Sequence, residues 1–123
     1  MNKFIFILFT LLLVSCIDKP ETKPNNFKIG TFKTVLEDKN TISFAKRNDS
    51  IQIETYNNKK DTFYIKWVDN FEYILLKKKS KTLLDSTPFH VKITGIKKKS
   101  YTFNAYYKGS KFKQKGTSTK IEN

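Results

Sequence analysis

Residues 63–76 read Phe63-Tyr64-Ile65-Lys66-Trp67-Val68-Asp69-Asn70-Phe71-Glu72-Tyr73-Ile74-Leu75-Leu76. Phe63, Ile65 and Trp67 recur at every second position, and after the polar break at Asp69-Asn70 the same period resumes in Phe71, Tyr73 and Leu75. Side chains two residues apart share one face of a β-strand, so this pattern predicts a hairpin. A three-residue loop at Val68-Asp69-Asn70 pairs Trp67 with Phe71, Ile65 with Tyr73 and Phe63 with Leu75. A one-residue slip scatters that set to the wrong face.

The same rhythm extends in both directions. Runs rich in Ile, Phe, Tyr, Val and Thr, broken by Asn, Asp, Lys, Ser or Gly, predict strands at about 27–36, 41–47, 50–57, 61–68, 71–79, 88–96, 100–108 and 112–121. The expected fold is all-β, an antiparallel meander of about eight strands forming a small barrel or half-barrel. Alternation assigns Ile42 and Phe44, Ile51 and Ile53, Phe89, Val91 and Ile93, and Tyr101, Phe103 and Ala105 to the core face. A two-residue turn at Asn48-Asp49 sets Phe44 opposite Ile53. For Ile53 to meet Ile65, the loop within 57–61 must hold an odd count, three or five. The run Phe71 to Leu76 is apolar on both faces except at Glu72, so its outer face needs cover. Leu83-Leu84, in the longest break of the pattern, is the candidate lid.

At the other end of the chain stands its only cysteine. A basic start (Met1-Asn2-Lys3) precedes an apolar run from Phe4 to Val14, then small Ser15 and Cys16. This order predicts a signal segment cut before Cys16, and an apolar run of that length falls short of the ~20 residues that span a bilayer. The pattern resembles the bacterial lipoprotein signal, with Leu13-Val14-Ser15-Cys16 as its lipobox, which makes Cys16 the lipidation site. The expected organisation is a signal peptide at 1–15, a lipidated tether at 16–26 containing Pro20 and Pro24, and a β-domain at 27–123. Two or more acyl chains hold a protein stably on a membrane. Ile17 after the cysteine fits outer-membrane sorting by analogy with other Gram-negative lipoproteins. With its thiol acylated, the chain has no disulfide to support its fold.

The formal charge is +13, and removal of Lys3 brings it to +12. Clusters at 77–79, 97–99 and 108–115 favour an anionic membrane surface as partner. No arginine comb or RNA-binding motif accompanies them, so no sequence-specific nucleic-acid contact is expected. Much of the lysine excess, alongside Asn, Ile and Phe, reads as an AT-rich coding sequence. His90 is the sole histidine, which removes imidazole-based metal sites, and it alternates outward. Glu54 and Glu72 are the strand-interior carboxylates. Paired carboxylates ~5–9 Å apart serve glycosidic chemistry, but both alternate away from the expected core, where pairing with Arg47 and Lys66 is expected instead. The four glycines are too dispersed to cradle a phosphate. The chain is therefore expected to be no enzyme and to need no cofactor or metal.

Phe32 within Lys28-Ile29-Gly30-Thr31-Phe32, the stretch from Arg47 to Glu54, Ile65-Lys66-Trp67, Glu72 to Leu75 and Gly116-Thr117 together resemble a family of small lipoproteins from the Bacteroidota, especially flavobacteria. Members often carry a DNA topoisomerase IV name, an activity this chain has no room for. Relatives often bear a cysteine pair where this chain has Phe27 and Phe71, and the resemblance implies an aromatic contact between those two. The architecture resembles the lipocalins, with Gly30-Thr31-Phe32 at the place of their Gly-x-Trp opening. The functional expectation is a lipid-anchored envelope protein with a structural or interaction role. The alternative is a binding module whose aromatics Phe44, Trp67, Tyr73 and Phe103 surround an apolar or envelope-derived small ligand. Its partners are the membrane through Cys16 and an anionic lipid or envelope protein.

Cys16→Ala is expected to abolish labelling by a palmitate analogue and to move the protein from the membrane to the soluble fraction. Retention of the unlabelled variant on membranes defeats the lipoprotein reading.

Overall fold

The computed structural model describes residues 23–123, and the expected signal peptide, Cys16 and the first part of the expected tether lie outside the described residues. A 3-10 turn at Pro24–Phe27 leads into β1 (Gly30–Leu36), β2 (Ile42–Arg47), β3 (Ile51–Tyr56), β4 (Lys59–Asp69), β5 (Glu72–Lys77), β6 (Phe89–Ile96), β7 (Ser100–Tyr107) and β8 (Gln114–Glu122). Each strand pairs antiparallel with the next, and β8 pairs back with β1, closing a barrel. All eight expected strands are present, and closure leaves no unpaired edge.

The quoted hairpin keeps its faces but shifts its pairing. Trp67 stands opposite Tyr73, Ile65 opposite Leu75 and Phe63 opposite Lys77, with an irregularity between Trp67 and Asp69. The Asp69 carboxylate accepts the Phe71 N–H at 2.7 Å, which tightens the turn. A tight turn plus a bulge preserves the parity of a three-residue loop while moving the register by two. Phe71 consequently leaves the core and is 52% exposed.

Strands β2 and β3 depart from expectation more deeply. Between β3 and β4 the chain turns on two residues, Asn57 and Asn58, whose φ values are 48° and 64°. Such a left-handed pair is the signature of a type I′ hairpin turn, which asparagine tolerates. An even count puts Gln52 opposite Phe63 and Ile53 opposite Thr62. Gln52 and Glu54 therefore face inward and Ile51 and Ile53 outward. β2 follows its partner, with Arg47 opposite Gln52, Ala45 opposite Glu54 and Phe44 opposite Thr55. The turn before β3 closes around Asp49-Ser50, with the Asn48 side chain accepting the N–H groups of Ser50 and Ile51. Phe44, expected inside, is thus on the outer wall and 42% exposed.

The core fills one end of the barrel. Phe27, Phe32 and Tyr101 are fully buried there, with Phe27 edge-on to Tyr101 at 5.1 Å. Phe27 comes from the turn before β1 and plugs the barrel floor. It packs on Phe32 and Tyr101, so the contact with Phe71 implied by the family resemblance is replaced by one inside the barrel. Glycine at 116 permits tight closure, since a Cβ there would lie 2.8 Å from the Phe103 ring and from the Val35 carbonyl. The Leu83-Leu84 segment does not cover the outer face of β5. It forms a turn at the other end, where Leu84 borders the barrel mouth.

Phe27→Ala is expected to destabilise the protein by ~3–5 kcal/mol in urea unfolding, as a fully buried aromatic truncation. Phe71→Ala, at an exposed position, is expected to cost under ~1 kcal/mol. Equal costs would contradict the plugged floor.

Candidate functional site: the barrel interior

The floor of the barrel is organised by Arg47, the last residue of β2. Of the 24 Lys and Arg in the chain it is the sole arginine, and it is only 3% exposed. Its Nε donates to Gln52 Oε1 at 2.8 Å, Nη1 to the Phe27 carbonyl at 2.8 Å, and Nη2 to the Tyr73 and Tyr101 hydroxyls at 3.2 and 3.1 Å. The two hydroxyls also bond each other at 2.8 Å. The guanidinium carbon lies 4.3 Å from the Phe32 ring centre and 4.7 Å from that of Tyr73. The cation is thus held by neutral acceptors and aromatic faces, a use for which the planar guanidinium is suited and the lysine ammonium is not. Burial holds the Tyr73 phenol well above its ordinary value, against the pull of Arg47, so it serves as a neutral hydrogen-bonding group.

Above this floor the interior is open. A cavity of about 260 Å³ runs from Arg47 and Tyr73 toward the mouth. One wall is polar, with Ser43, Gln52 and Glu54 from β2 and β3 and Thr34 and Ser118 from β1 and β8. Thr34 and Ser118 bond each other at 2.7 Å. The facing wall is apolar, built by Leu75, Phe89, Val91 and Phe103. At the mouth a second hollow of about 290 Å³ shares Glu54, Leu75 and Phe89 with the cavity and is bordered by Leu84 and Tyr107.

Glu54 is the one carboxylate among the cavity-lining residues. Burial pushes its carboxyl up and the adjacent Asp61 adds to this, while a hydrogen bond from Ser43 and the charge of Arg47 pull the other way. Asp61 stands directly opposite Glu54 on β4 and is held at the mouth by Lys77, which also reaches Asp85.

The sequence-derived site residues separate. Tyr73 and Phe103 are buried and line the cavity. Trp67 is half-buried against Tyr73 at 4.8 Å and belongs to the floor, with Lys28 Nζ 5.4 Å from its ring centre. Phe44 is outside the barrel. Glu54 and Glu72 are not a pair, since Glu54 faces the interior and Glu72 the exterior. Glu72 meets His90 at 3.1 Å instead, and His90 stacks on Tyr106. Arg47 and Gln52 were missed because an inward charge runs against the alternation pattern; the available signal was a lone arginine in a chain that otherwise uses lysine. Among the described residues no cluster of three His, Cys, Asp or Glu side chains forms a metal site. Compared with family models, curated proteins and solved structures, the chain matches none.

Because the Glu54 carboxyl titrates higher in the folded protein than in the unfolded chain, the folded state binds more protons between the two values, and stability falls as pH rises through that window. Glu54→Gln is therefore expected to raise the melting temperature by a few degrees at about pH 7.5 and to have no such effect at about pH 4. A stabilisation of equal size at both pH values would mean that charge burial is not the cause.

Proposed function

We propose that the mature protein is a lipid-anchored β-barrel of the bacterial cell envelope, held on the outer membrane through Cys16, whose open half binds a small amphiphilic molecule. The observation that carries the binding reading is the two-sided interior. An eight-stranded barrel is narrow enough for side chains to fill, and this chain has the apolar residues to do it. It directs Ile42, Phe44, Ile51 and Ile53 outward and turns Ser43, Arg47, Gln52 and Glu54 inward. Inward polar groups cost stability unless something bonds them. The floor groups are bonded by the Arg47 network, whereas Glu54 and Ser43 have only each other and face the cavity. At about 260 Å³ the cavity is just under the usual ~300 Å³ of a ligand pocket, which suits a compact ligand with a hydrogen-bond donor for Glu54 and an apolar body for Phe89 and Val91. No catalytic step is assigned, because Glu54 and Glu72 lie on opposite faces of the wall. The resemblance to flavobacterial lipoproteins and the lipobox support the location.

A second reading, an interaction role without a ligand, is favoured by the outer wall. Ile42, Phe44, Ile53 and Tyr64 are all exposed there on three neighbouring strands, and exposed apolar side chains gathered in this way mark a contact surface.

Filling the cavity separates the two. Ala45 is buried on the cavity wall, and Ala45→Phe places a ring in the space. Native mass spectrometry of protein extracted in mild detergent is expected to show a bound small molecule on the wild type and none on Ala45→Phe. A wild type that emerges empty, with a variant of higher melting temperature, would favour the ligand-free role.

A further inference from the structure

The loops around the mouth present an unusual surface. Of all large apolar side chains described, Leu83 and Phe112 are the most exposed, at 86% and 74%, and Leu84 is 55% exposed. They sit on the two neighbouring loops β5–β6 and β7–β8, which meet where the Lys108 N–H bonds the Pro88 carbonyl at 3.0 Å. The leucines are held outward by a built turn. The Asp85 N–H bonds Thr82 Oγ1, the Lys81 N–H bonds the Asp85 carboxylate, and the Ser86 and Thr87 hydroxyls both bond the Leu83 carbonyl. Around these tips the same loops and strand ends carry four lysines between positions 77 and 81 and four between 108 and 115; Lys77 is paired with Asp61 and Asp85, and the loops themselves hold one acidic residue, Asp85.

We propose that the barrel mouth docks on an anionic lipid bilayer, with Leu83, Leu84 and Phe112 entering the headgroup boundary and the flanking lysines meeting lipid phosphates. Apolar tips flanked by lysines match that chemistry on both counts, since apolar side chains gain by leaving water and each lysine near an anionic surface adds attraction. Nucleic acid fits less well, because two of the three tips are leucines, which offer no stacking face and would remain in water beside the one ring of Phe112. The proposal does not depend on what fills the cavity.

The test uses the chain from Ile17 onward. It keeps every strand and the Phe27 plug, so the closed sheet is intact, and it contains no cysteine. Wild type is expected to sediment with vesicles of phosphatidylcholine containing about 30% phosphatidylglycerol and not with phosphatidylcholine alone. The triple variant Leu83→Ser, Leu84→Ser, Phe112→Ser is expected to lose at least about tenfold in affinity for the anionic vesicles, with all lysines in place. A control with Lys97, Lys98 and Lys99 replaced by Ser, at the floor end, is expected to change by less than about threefold. An environment-sensitive dye on Phe112→Cys is expected to shift to the blue on anionic vesicles, and the same dye on Lys98→Cys to stay in water. This readout holds even if the triple variant folds poorly. Undiminished binding by a folded triple variant, an unshifted dye at position 112, or equal loss in the floor-end control would overturn the proposal. So would duplex DNA displacing the vesicles while binding the triple variant as well as wild type, which would make the surface a general polyanion binder.

Discussion

A single buried cation fixes the closed end of this barrel. Arg47 ties β2 to β3 through Gln52, to β5 through Tyr73, to β7 through Tyr101, and to the turn before β1 through the Phe27 carbonyl. Burying a charge without a carboxylate partner is costly unless its donors are met and its field is matched by polarisable groups. Here four acceptors and the faces of Phe32 and Tyr73 supply both. Because these partners come from distant parts of the sequence, the guanidinium can be satisfied only when the sheet has closed. It therefore selects the closed register over slipped alternatives, much as a buried polar group fixes register in a coiled coil.

That requirement explains the distribution of polarity around the wall. For Arg47 to point inward, every second residue of β2 must do so too, which brings Ser43 and Ala45 inside and sends Ile42 and Phe44 out. The partner strand must then offer Gln52 and Glu54. The Asn57-Asn58 turn is the local device that makes this compatible with β4, since an even turn keeps Phe63, Ile65 and Trp67 inside while reversing the faces of β3. The apolar wall of β5 to β7 and the polar wall of β1 to β3 are two consequences of one register, and the cavity lies where they face each other.

The sequence revealed the strands and most of the core because alternation is strong where one face alone is apolar. In β4, β6 and β7, and for Tyr73 and Leu75 of β5, the inward side chains stood out directly. In β2 and β3 the same rule misled. Ile42, Phe44, Ile51 and Ile53 form a clean alternating set, and an outward apolar set cannot be told from an inward one by period alone. The turn chemistry was the better guide there, since two consecutive asparagines favour a left-handed two-residue turn over a loop of three or five. The cavity was legible only through that correction. Tyr73 and Phe103 were recognisable as inward aromatics, whereas Arg47, Gln52 and Glu54 read as surface residues until the face of β3 was known.

The proposed anchor and the proposed docking surface belong to opposite ends of the barrel. The chain enters at the floor, beside Phe27, while the leucine and phenylalanine tips lie at the mouth. A lipid on Cys16 and the proposed docking of the mouth would thus act from opposite ends. Residues 17–23, fully extended, reach at most about 25 Å. A strand of eight residues runs about 26 Å and, when tilted as barrel strands are, spans less than that along the axis. The tether is therefore long enough to lie along the wall and let mouth and anchor share one bilayer. With the proposed acyl anchor in place, docking would become an intramolecular event at high effective concentration. Weak individual contacts from three apolar side chains and their flanking lysines would then suffice, and they would remain sensitive to salt and lipid charge. A mouth pressed to lipid would also give the cavity a direct route to amphiphiles in the membrane, without passage of their apolar parts through water.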